Sequence, residues 1–184
     1  YRWCDQTQLY RDVKFLKGFE EIAKRNLTFD AWCYSTQLDD VQYLAQQFPE
    51  TAIVLDHLGT PAGLFGSIGN YTGQTLKARQ AIFEQWKIKI SQLAQHPRVS
   101  VKISGLLMPV LGHSYHKQAR QASVEEIVQI LSPLIDYAIT TFGIDRVMFA
   151  SNFPMDKPSA KLEDILAAYV RMIQPYGQQA LYSI

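Results

Sequence analysis

Cysteine is almost missing from this chain: Cys4 and Cys33 are the only two in 184 residues. Two thiols build no disulfide framework, and their spacing matches no zinc motif, so a reducing, cytoplasmic setting is expected. No apolar run approaches the roughly 18 residues that cross a bilayer, and no signal-peptide pattern opens the chain. Excess charge is lacking too, with 18 Lys+Arg against 17 Asp+Glu. That balance gives no footprint for nucleic acid or an anionic membrane, and a small-molecule substrate is the expected partner. Nor does any Gly-x-Gly-x-x-Gly follow a strand, which argues against a dinucleotide binder.

What is present is an ordinary globular composition, 47% hydrophobic and 19% charged, enough for a sizeable core in one domain. Four short β-rich runs, 27–34, 51–58, 99–104 and 146–151, read as parallel strands buried on both faces. Helices are expected between them. Over 76–93, Leu76, Ile82, Phe83, Trp86, Ile90 and Leu93 share a stripe. Over 127–142, Ile127, Leu131, Leu134, Ile135, Ala138 and Phe142 do the same, after a capping box of Ser123 and Glu126. Further helices are expected at 11–25, 38–48 and 160–174, the last with Leu162, Ile165, Leu166, Tyr169 and Ile173 on one face. The order, one helix and then four strand-helix units, is that of an α/β chain with a parallel sheet.

Connections from helix to strand are short, whereas those leaving strands, 57–74 and 105–122, are long. Long loops after the carboxyl ends of parallel strands are where such proteins place ligand chemistry. His57, His113 and His116 lie on that side, and His96 lies on the opposite, structural one. His57 closes an aliphatic run and can serve as metal ligand, acid-base group or hydrogen-bond donor, or simply pack. Asp56 falls on the other face as a supporting acid. Lys102 interrupts an apolar strand, so it needs a carboxylate partner, a substrate oxygen or a route to solvent. His113 and His116 form an H-x-x-H, a metal spacing on a helix but a weak one in a loop. The glycine-rich stretch after His57 reads as a mobile lid and not as a phosphate cradle. In "FASNFPMD", 149–156, Pro154 stops the strand and displays Asn152 beside Ser151.

"VLDHLGTP", "VKISGL" and "RVMFASNFPMD", in that order and each at a strand end, resemble the amidohydrolase-related family of lactonases and decarboxylases, and "FDAWCYSTQL" resembles its preceding strand. The resemblance implies a (β/α)8 TIM-barrel-type fold, here an incomplete barrel covering strands five to eight, with "YRWC" a remnant of the fourth. An open doubly wound parallel sheet is the alternative. A single domain over 1–184 is expected, amino-terminally truncated, because the family's first-strand His-x-His is missing. The resemblance makes His57 the sixth-strand histidine facing the reaction centre, a catalytic group or metal ligand. It puts Asn152 where many members carry a water-activating Asp, with Asp156 a candidate substitute. Trp32, Gln37, Lys102, His113, His116 and Ser151 are the implied substrate-binding residues. Thr60 stands where pyrone-dicarboxylate lactonases carry a carboxylate-clamping Arg, which argues against that substrate. A divalent metal, zinc or manganese, and metal-independent chemistry both stay open. The expected activity is hydrolysis of a lactone or similar cyclic ester of a small sugar-like acid. The alternatives are an inactive fragment or a small-ligand binding module, and unpaired strand edges would invite homo-oligomers.

Overall fold

The structure, a computed structural model, describes residues 8–183 apart from residue 71. The expected strand remnant at 1–4 lies outside the described residues. Helix α1 (Val13–Lys24) leads into β1 (Phe29–Ala31), α2 (Leu38–Gln47), β2 (Ile53–Leu55), α3 (Leu76–Ala94), β3 (Val99–Ile103), α4 (Val124–Phe142), β4 (Val147–Phe149), α5 (Leu162–Ile173) and a short α6 (Gln178–Ser183). All three strand pairs are parallel, and the sheet order β1-β2-β3-β4 follows the chain. A doubly wound sheet reverses its order at a switch point, and this one does not. The strands form an arc of an incomplete (β/α)8-type barrel.

The register divides the sheet into two faces. Phe29, Ile53 and Val99 pair in one row and Ala31, Leu55, Val101 and Val147 in the next. These residues turn toward the helices, where they meet Phe19, Leu44, Trp86, Ile90, Leu131 and Ile135 in the core. The opposite face carries Asp30, Val54, Ser100, Lys102 and Met148. It is only partly covered, so the expected burial on both faces holds for β2 and fails for β3, whose residues alternate buried and half-buried.

Local signals set the helix ends. Asp12 accepts from the Lys14 and Phe15 amides at the start of α1, and Thr75 accepts from Ala78 at the start of α3. At α4 the Ser123 amide donates to Glu126 Oε2 at 2.8 Å and the Glu126 amide to Ser123 Oγ at 3.4 Å, the capping box read from sequence. Three stripe residues fall outside the core, Leu162 among them at 38% exposed. Leu76 is 75% exposed in the first turn of α3, and Leu166 is 42% exposed, set off from the Ile165, Tyr169 and Ile173 line by roughly 100°.

At the amino-terminal end of the strands, Arg146 ties three elements together. Its guanidinium donates to the carbonyls of Phe142 (3.0 Å), His96 (2.9 Å), Val99 (3.2 Å) and Ala94 (2.9 Å). These include carbonyls that the ends of α3 and α4 leave unpaired. His96 contributes only its backbone here, in keeping with a structural role. Arg146→Met should lower stability by about 2–3 kcal/mol in urea unfolding, because partly buried carbonyls lose a charged donor.

Candidate active site

The strand β2 ends in a turn that the chain adopts against its own preferences. His57, Leu58, Gly59 and Thr60 all have positive φ, at 54°, 49°, 66° and 32°. For residues with a Cβ this conformation costs on the order of 1–3 kcal/mol each and persists only when the surroundings impose it. Here they do. The Trp86 indole donates to the Leu58 carbonyl at 2.7 Å, the Thr60 amide donates to the His57 carbonyl at 2.9 Å, and the Ser35 amide donates to the Thr60 carbonyl at 3.3 Å. A Cβ on Gly59 would stand 2.6 Å from a Leu38 methyl, so the turn is packed as well as hydrogen-bonded.

The result is a fixed imidazole. His57 Nδ1 sits 2.8 Å from the hydroxyl of Ser104, a fully buried residue just beyond β3. Burial lowers the His57 pKa; Asp56 raises it and Lys102 lowers it. At neutral pH the ring is uncharged, and Nε2 has no partner among the described residues. Beside it on the inner face, Lys102 Nζ lies 2.8 Å from Asp30 Oδ1 and 2.9 Å from Asp56 Oδ1. Burial opposes the lysine's charge, but the two carboxylates outweigh it and raise its pKa. Lys102 is therefore committed to an ion cluster in which Asp56 is a partner; the strand ends at Leu55 and the turn at positive φ brings His57 beside Asp56, so the two are not set on opposite faces as a regular strand would place them.

Gly105 brings β4 to this histidine. At φ +62°, a Cβ there would lie 2.6 Å from His57 Nδ1 and 3.0 Å from Asn152 Nδ2, so the two side chains meet across one glycine. Asn152 itself is left-handed at φ 53° and is followed by a cis Phe153-Pro154 bond. Its Nδ2 donates to Asp156 Oδ1 at 3.3 Å. Asp156 is 2% exposed. Burial lifts its pKa to about 6, against the lowering effect of the Asn152 amide and the Leu107 backbone N–H. Ser151 accepts from the Phe153 amide at 3.2 Å and so shapes this turn.

The long loops do not form a free lid. The Gly63 amide donates to the Val110 carbonyl at 3.0 Å and the Phe65 amide to the Leu111 carbonyl at 2.8 Å, which laces 57–74 to 105–122. Gly66 and Gly112 touch so closely that a Cβ on Gly112 would stand 2.2 Å from the Gly66 oxygen. The glycines serve backbone contact, and the mobile-lid expectation is corrected accordingly. His113 is held in this seam, its ring 6.4 Å from that of Phe65 and 5.3 Å from that of Tyr115. Among the described residues neither of its ring nitrogens makes a well-formed hydrogen bond, and burial pushes its pKa down to about 4 although the nearby Leu107 and Met108 backbones pull the other way. His116 is exposed, so the H-x-x-H does not act as a unit. Trp32 is half-exposed and packs on Tyr34, while Gln37 is buried with Oε1 accepting from the Tyr34 amide at 3.0 Å. Among the described residues no group of three His, Cys, Asp or Glu stands ready to hold a metal.

An amidohydrolase family model matches residues 4–184. The chain belongs to the amidohydrolase family. It is 29% identical over 170 residues to an uncharacterized protein of Sinorhizobium fredii, covering 92% of this chain and 48% of that protein. It is 27% identical over 169 residues to the L-fucono-1,5-lactonase of Burkholderia multivorans, covering 91% and 51%. In structure it is similar to a zinc-bound amidohydrolase from B. multivorans, with TM-score 0.77, 21% identity and coverage of 96% and 56%. The chain spans about half the length of the relatives it matches.

Sequence reasoning named His57 and Asn152 but missed Ser104, Gly105 and Trp86, which set their positions. The triplet "ISG" at 103–105, a polar and a flexible residue ending an apolar strand, is the one signal that pointed there. The titration of Asp156 has a definite sign. Its folded pKa lies above the unfolded value of 3.8, so the stability it contributes is full below pH 3.8 and is lost as pH rises through about 6. Urea unfolding from pH 4 to 7 should therefore show wild type losing stability relative to Asp156→Asn. Gly105→Ala should displace the His57 imidazole, read by NMR as a changed His57 titration.

Proposed function

We propose that this chain carries the carboxyl-terminal strand ends of a lactonase site, hydrolysing a lactone or similar cyclic ester of a small sugar-like acid. The observation that carries the reading is the meeting of the His57 and Asn152 side chains across Gly105, through Nδ1 and Nδ2. His57 Nε2 and Asn152 Oδ1 each lack a protein partner among the described residues, while their other ends are tied to Ser104 and Asp156. When the Ser104 hydroxyl donates to Nδ1, neutral His57 carries its proton on Nε2 and donates to the lactone carbonyl. As water adds to the carbonyl carbon, that hydrogen bond strengthens on the developing oxyanion. Asn152 Oδ1 accepts a hydrogen bond from the attacking water and orients it; an amide takes no proton, so Asn152 positions without acting as base. As the ring C–O bond breaks, the proton given up by the attacking water ends on the departing ring oxygen, and the product is the open hydroxy acid. The L-fucono-1,5-lactonase relative supports this substrate class at the level of chemistry.

Zinc, bound in the Burkholderia structure, would take His57 Nε2 as one donor here. A tetrahedral site needs about three protein donors, and the described residues do not supply the others. That same shortage, with Asp156 buried against Asn152, favours a second reading in which this chain binds a small ligand without turning it over. Trp32, half-exposed near the strand ends, and the laced loops would shape the pocket in either case, in a cytoplasmic setting.

The test is hydrolysis of a sugar-lactone panel by pH-indicator assay, with and without zinc or manganese, on this chain and on a form extended at its amino terminus. Hydrolysis is expected in the extended form, with His57→Ala lowering kcat at least about 100-fold. A folded extended form that hydrolyses none of the panel would overturn the lactonase reading.

A further inference from the structure

A buried carboxylate is costly unless something in the fold uses it, and the catalytic scheme above leaves Asp156 without a step. Its backbone is well anchored: its carbonyl accepts from the Ser159 and Ala160 amides at 2.9 and 3.1 Å, and the Met155 amide donates back to the Asn152 carbonyl at 2.9 Å. The groups facing its carboxyl are few. They are Asn152 Nδ2 from the same turn, the Leu107 backbone N–H from the loop after β3, and the buried Tyr169 of α5, whose own ionisation Asp156 opposes. Among the described residues no Lys or Arg neutralises it.

An ionised carboxylate can only accept hydrogen bonds, so whichever end of the Asn152 amide faces it must be the NH2. That leaves Oδ1 on the far side of the amide, without a protein partner among the described residues and not sealed from solvent. An isolated asparagine could present either end by a half-turn of the amide, and the two ends have opposite hydrogen-bonding character. We infer that Asp156 is a positioning residue that locks the Asn152 amide with its oxygen toward the open side of the site, so that Asn152 serves there as an acceptor. The consequence for rate rests on the lactonase reading; the orientation of the amide does not.

Two measurements on the full chain separate these claims. In the first, the side-chain 15N and 1H resonances of Asn152 are followed together with the Asp156 carboxyl 13C signal from pH 4 to 8. The amide resonances should move with the carboxyl and share its midpoint, and amide signals that stay flat through the Asp156 titration would overturn the inference. The second is a double-variant cycle by thermal unfolding. Asn152→Asp alone sets two carboxylates against each other and should lower Tm. Adding Asp156→Asn restores a donor-acceptor pair with its sense reversed and should recover more than half of the loss. Strictly additive effects would count against the pair. In the extended form, Asp156→Ala should lower kcat at least 10-fold with KM within twofold. If the NMR and Tm results hold while no lactone is turned over, the lactonase reading fails and the positioning role stands.

Discussion

The hydrogen bond from the Trp86 indole to the Leu58 carbonyl, buried at both ends, holds the turn on which the site depends. Four consecutive residues at positive φ cannot persist by local preference, and three of them, His57, Leu58 and Thr60, carry a Cβ. The cost is met by tertiary contact: the indole from α3, the Ser35 amide from the turn after β1, and Leu38 at the start of α2 pressing on Gly59. Because α2 and α3 pack on the sheet through the same apolar core, the orientation of one imidazole is coupled to the stability of the outer layer.

The two ends of the sheet divide the work. At the amino-terminal end Arg146 gathers backbone carbonyls of α3, α4 and the start of β3, all of it structure and none of it aimed at a ligand. At the carboxyl end His57, Leu58, Thr60, Gly105 and Asn152 all have positive φ, against Asn26 and Gly143 at the amino-terminal end. The same pattern of rigid base and constrained rim explains why the long loops are laced through Gly66 and Gly112. A loop that must hold a site open near a neutral histidine cannot also swing freely.

Much of this was legible in the chain itself. The five longer helices and four strands follow from periodicity, and the capping box at Ser123 announces α4. His57 and Asn152 were legible because each closes an aliphatic run. What stayed hidden depends on distance in the chain. That Ser104 would meet His57, 47 residues away, follows from the parallel register of β2 and β3 and not from any local motif. The pairing of Lys102 with Asp30 requires two further strands to be in place, and spacing alone left its partner open. The glycines after His57 read as flexibility because glycine permits both flexibility and close backbone contact, and only the neighbouring loop decides which.

Electrostatics on the inner face carries a further consequence for the imidazole. Asp56 raises the pKa of His57 and Lys102, bonded to that same Asp56, lowers it. An ion pair set side by side presents a field that falls off faster than that of either charge alone, and its two members oppose each other at the ring. Desolvation is the largest influence on His57, and the Ser104 backbone opposes it. Its protonation is thus governed less by the charges nearest to it in sequence than by how tightly the turn and the β3 strand end close around it. A change that left every charge in place but admitted water beside Ser104 would move this histidine toward its ordinary pKa.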